Sequence, residues 1–72
     1  MIKLGIVGHI MSGADQNSWV RVQELPDDPP SFLILLASDH DFHTGIGDYW
    51  VEDYSSLEQF FEESQWVVAW DE

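Results

Sequence analysis

Residues 32–37 read F-L-I-L-L-A, six apolar side chains with no polar position among them. An alternating run would signal a strand with one wet face. A continuous run fits a strand buried on both faces, at the centre of a sheet or under a partner. The rest of the chain is read outward from that strand.

Upstream, P-D-D-P-P at 26–30 is a stiff connection that no strand or helix crosses. Before it, W-V-R-V-Q-E-L at 19–25 is rich in β-branched and aromatic residues and reads as a strand. S-G-A-D-Q-N-S at 12–18 is a polar turn cluster. Residues 2–11 place Ile2, Leu4 and Ile6 on one face, which predicts a first strand there. Downstream, A-S-D-H-D-F-H-T-G-I-G at 37–47 forms a loop, and G-D-Y-W-V-E-D at 47–53 a fourth strand. Y-S-S-L-E-Q-F-F-E-E-S, 54–64, is a helix. Leu57, Phe60 and Phe61 form its apolar stripe, and Ser55 with Glu58 supplies a capping box. Q-W-V-V-A-W, 65–70, closes the chain as a strand with Trp66, Val68 and Trp70 on one face. The order β-β-β-β-α-β predicts an α+β fold: a small antiparallel β-sheet of four to five strands with one helix packed on one face. Pattern alone leaves the direction of the last strand open. Residues 1–72 are expected to form a single small acidic domain.

Hydrophobic residues are 44% of the chain and charged residues 22%, a balance that favours folding over disorder. No cysteine is present, so disulfides and thiolate zinc sites are excluded. The apolar opening M-I-K-L-G-I-V-G is interrupted by Gly5, Gly8 and His9, unlike a secretory leader. No run reaches the roughly 18 apolar residues of a membrane span. The expectation is a soluble, cytoplasmic protein with no membrane partner.

Charge is the anomaly. Fourteen acids face Lys3 and Arg21, giving −12. Residues 1–36 carry four acids and both bases, whereas residues 37–72 carry ten acids and no Lys or Arg. Such a field repels nucleic acid and attracts basic proteins. Acidity also keeps small proteins soluble, and that is the bland reading.

Three constellations invite chemistry. Gly5, Gly8 and Gly13 resemble a dinucleotide-binding turn but have the wrong spacing, and the segment after them is turn-like, so no cofactor is expected. Asp39, His40, Asp41 and His43 are weak candidate metal ligands. Aspartates also cap turns, and with Thr44, Gly45 and Gly47 nearby a loop is the favoured reading. Asp48 with Glu52 is a pair on which acid–base catalysis can be drawn, but any acidic protein offers such pairs. No nucleophile elbow, zincin helix or phosphate loop accompanies it, so no enzyme is expected.

With Tyr49 and Val51 facing inward, Trp50 points outward between Asp48 and Glu52, an arrangement typical of binding hot spots. The expected function is therefore a binding or inhibitor protein. It would dock on the basic surface of a nucleic-acid-binding protein or nuclease, with carboxylates in place of phosphates and without touching nucleic acid itself. A phage-encoded blocker of a CRISPR–Cas complex and an immunity protein for a nuclease toxin both fit. The candidate contact residues are Asp48, Trp50, Glu52 and Asp53, with Glu58, Glu62 and Glu63 on the helix. The competing expectation is a structural or assembly protein that forms a homodimer, its acidity serving solubility.

Overall fold

The computed structural model describes residues 1–71. Five strands and one helix follow in the order β1 (Gly8–Ser12), β2 (Trp19–Leu25), β3 (Ser31–Ala37), β4 (Gly45–Val51), α1 (Tyr54–Glu63) and β5 (Val67–Trp70). The strands form one sheet in the order β4-β3-β2-β1-β5, and every pairing between them is antiparallel. This is the small α+β fold that the patterning predicts. The open question of the last strand is answered: β5 runs antiparallel to β1, at one edge.

The position of β5 explains α1. The chain leaves the sheet at the β4 edge and returns at the opposite one, a distance of about 19 Å across four strand spacings. Ten helical residues advance about 15 Å, so α1, lying over β3 and β4, carries most of the return and residues 64–66 complete it.

The buried core lies between α1 and that face: Ile10, Val20, Val22, Phe32, Ile34 and Leu36 from the sheet, with Leu57 and Phe61 from the helix. Register makes this one layer. Val20 pairs with Leu36 and Val22 with Ile34, which places their side chains on the same side. Burying eight such side chains, each worth about 1.5–3 kcal/mol, is the main force holding the fold. Leu33 and Leu35 point the other way and are half-buried. The apolar run of β3 therefore reflects one buried face and one partly covered face. The middle strand is β2, not β3.

Several boundaries differ from the sequence expectation, among them the start of the last strand, at Val67 rather than Gln65 because Gln65 and Trp66 close the helix. The first strand starts at Gly8 rather than Ile2. Leu4 bridges Val22 in parallel while Gly8 pairs with Val20 antiparallel, so the chain reverses between them, at Gly5 with φ +72°. The fourth strand spans 45–51 instead of 47–53, because Gly45 and Gly47 pair with Ala37 and Leu36. Asp53, freed from the strand, becomes the helix N-cap: its carboxylate accepts from the Ser56 backbone N–H at 2.7 Å. The cap is thus Asp53, and the Ser55–Glu58 box is displaced.

At the other end of α1, Gln65 adopts φ +56°. Its N–H donates to the Glu62 carbonyl and that of Trp66 to the Phe61 carbonyl, which is a Schellman ending. The β1–β2 turn is docked on this ending. The Ala14 N–H donates to the Ser64 carbonyl at 3.0 Å, and Gly13, at φ +98°, packs so closely that a Cβ there would lie 2.2 Å from the Gln65 carbonyl oxygen.

Candidate functional site

The loop at 38–44 returns its own polar groups to the fold. The Asp39 carboxylate accepts from the backbone N–H of Thr44 at 2.8 Å and of His43 at 3.1 Å, and these two bonds hold its carboxyl below the ordinary aspartate value. Phe42 turns at φ +57° and places its ring 4.9 Å beneath the Arg21 guanidinium on the face opposite the helix. His40 lies edge-on to Trp19 at 4.9 Å, and Trp19 in turn stacks on His9 at 4.2 Å. Nε2 of His40 lies 2.5 Å from an Asp71 carboxylate oxygen, and Nδ1 lies 3.2 Å from Asp41. The hydrogen bond to Asp71, then that to Asp41, raises the imidazole pKa above its ordinary value.

The four candidate metal ligands are therefore turned to different partners. Asp39 faces backbone, His40 faces Asp71 and Asp41, and His43 approaches Asp39 at 3.8 Å. Among the described residues no group of three or more His, Cys, Asp or Glu side chains is arranged to hold a metal ion. The loop acts as a clasp that ties the β3–β4 connection to the residue following β5, across 31 positions of sequence.

The candidate contact residues fall into two groups. Asp48 and Trp50 pair with Leu35 and Leu33, which puts them on the face opposite the helix, with Trp50 60% exposed. Tyr49 faces the helix, its ring 5.1 Å from that of Phe60. Glu52 is exposed at the corner between β4 and α1. Asp53 is committed to the helix cap, and its bonds to the Ser56 backbone and side chain keep its carboxyl below the ordinary value. Glu58, Glu62 and Glu63 are exposed on α1. The strand group and the helix group thus lie on opposite sides of the sheet.

Beside the helix group is a feature that the sequence does not reveal. A cleft of about 500 Å³ opens between α1 and β5, lined by Tyr54, Glu58, Phe61, Glu62, Trp66 and Trp70 among others. It exists because α1 lies over β3 and β4, leaving the β1–β5 side of the face less covered. Trp66 sits edge-on to Phe61 at 4.9 Å and to Phe60 at 5.5 Å, and its Nε1 is buried with no hydrogen-bond partner among the described residues. The β5 wall of the cleft rests on Gly8. A Cβ there would meet Val68 Cγ1 at 2.4 Å and Trp70 Cε3 at 2.8 Å, so the missing side chain lets both lie across β1.

Among the described residues no helix is long and apolar enough to cross a membrane. Comparison with protein families, curated proteins and solved structures finds no match to this chain.

Proposed function

We propose that the chain is a non-enzymatic binding or inhibitor protein that docks on the basic surface of a nucleic-acid-binding protein or nuclease, with carboxylates taking the place of phosphates. One observation carries the reading: residues 37–72 hold ten acids and no Lys or Arg, and three of those acids stand exposed on a single helix. Concentrating like charge costs stability through self-repulsion and raises the rate of encounter with a cationic partner. Glu58, Glu62 and Glu63 are the principal contacts in this proposal, with Glu52 at the adjoining corner. Asp48 and Trp50 would serve a partner that wraps the β4 edge. A phage inhibitor of a CRISPR–Cas complex and an immunity protein for a nuclease toxin are the two settings that use such chemistry.

The test is capture from a lysate at low salt. A basic nucleic-acid enzyme should be recovered and then lost at high salt, because screening shortens the reach of exposed charges. Reversing the charge of Glu58, Glu62 and Glu63 should abolish that capture. Undiminished capture by the charge-reversed protein would rule the helix out as the contact.

A second reading, homodimeric assembly, draws support from the β4 edge, where Ile46 and Trp50 are at least half exposed. Light scattering separates the two. A monomer at working concentration removes the dimer, and a dimer that Trp50→Lys disperses would place the β4 edge in its interface.

A further inference from the structure

We infer that the cleft between α1 and β5 is a receptor for a guanidinium group, an arginine side chain presented by the basic partner. The inference rests on the docking reading above and adds a defined point of insertion to it.

The walls are aromatic and held in place from within. Trp70 lies over Gly8, where any side chain would displace it, and Phe61 stands nearly parallel to it with centroids 6.1 Å apart. Trp66 is fixed edge-on against Phe60 and Phe61. Tyr54 continues this surface along the helix. Such a surface needs little reorganisation to receive a ligand.

Two carboxylates complete it. Glu58 and Glu62 are one helical turn apart and both line the cleft. Like charges at this spacing repel each other, and the lining, which Met1 and Ile2 of the N-terminal segment complete, holds no Lys or Arg side chain to relieve them. A cation placed between them removes that repulsion, while an anion would be expelled. A neutral apolar ligand would cover the rings and leave both acids without a counter-charge.

The cation must also match the rings. An arginine lays its methylene stem along apolar surface, stacks its planar head on aromatic faces and donates to carboxylates with a fork of N–H groups. Lysine offers a compact, strongly hydrated charge that satisfies the carboxylates but uses the aromatic walls less well. The cleft is therefore read as selective for arginine.

The experiment is an NMR titration of the intact chain at low salt with Nα-acetyl-arginine amide, with its neutral isostere Nα-acetyl-citrulline amide, and with a hexa-arginine peptide. The indole N–H signals of Trp66 and Trp70 should shift saturably with the arginine compounds and stay still with citrulline, and Trp19 and Trp50 should not respond. Glu58→Gln with Glu62→Gln should weaken arginine binding by about tenfold or more. Asp15→Asn with Glu24→Gln, both exposed and outside the cleft lining, changes the net charge equally and should stay within about twofold of the parent. Melting curves of both pairs matching the parent would show that each is folded. Equal losses in the two pairs, or equal shifts at all four indoles, would overturn the cleft and leave docking by the overall field standing. Failure of hexa-arginine to bind at all would overturn both.

Discussion

Asp39 and Glu58 are both carboxylates near the surface of one small sheet protein, and they stand under opposite constraints. Asp39 has two backbone N–H groups to satisfy, and around it His40, Phe42 and Asp71 tie the loop down. Glu58 shares a helix face with Glu62 and borders an aromatic cleft. Both regions are dense in ionisable groups. The difference is whether those groups are used by the fold: Asp39 and His40 of the loop are bound to internal partners, whereas the helix exposes charge that its own half of the chain has no Lys or Arg to neutralise. Acid content alone does not identify a binding surface; acid left outside the fold's own hydrogen bonds is the better guide.

Three perturbations bear on this contrast, in order of expected size. The largest is Gly13→Ala, beneath the end of the helix. The substitution demands a left-handed conformation of an L-residue and drives a Cβ to 2.2 Å from the Gln65 carbonyl oxygen, so denaturant unfolding should report a loss of about 3 kcal/mol. An unchanged midpoint would mean that the β1–β2 turn does not pin the helix.

The next is His40→Gln in the clasp. The native imidazole pKa is raised, so the stability it contributes is fully present below its unfolded value, near 6.5, and is lost as pH rises through the folded value. The variant should therefore melt below the parent in mildly acidic solution, and the two should converge at alkaline pH. A pH-independent gap would show that His40 acts through packing on Trp19 alone. The smallest is Glu62→Gln on the helix. Relief of the repulsion with Glu58 should raise stability by about 0.3 kcal/mol, against the loss expected in the loop. A clear loss here would mean that Glu62 belongs to the fold after all.

The sequence made the interior of the fold legible and the edges of its elements less so. Strand 19–25 was readable from its β-branched and aromatic residues, strand 32–37 from an unbroken apolar run, and the helix from the stripe Leu57, Phe60, Phe61, which repeats with the helical period. The first strand was overextended because Ile2, Leu4 and Ile6 alternate correctly, while Gly5 reverses the chain through a left-handed angle that no alternation encodes. The helix began where expected, at Tyr54, but its cap was misassigned because Asp53 and Ser55 are both good caps, and the choice depends on where β4 releases the chain. The cleft was invisible because Trp70 meets Gly8 and Phe61 only once β5 reaches the far edge of the sheet. The His40–Asp71 contact was hidden for the same reason. The Trp50 side of β4, by contrast, followed directly from alternation.

In the proposed reading the helix carboxylates form a contact surface rather than a solubility coat. Its most direct test compares the affinity of the captured basic partner for the parent chain and for two variants of equal net charge. In one, Glu58, Glu62 and Glu63 become lysine; in the other, Asp15, Asp27 and Asp28 do. The helix variant should lose about a hundredfold or more in affinity while the other keeps most of it. Equal losses in both, or no loss in the helix variant, would contradict that reading.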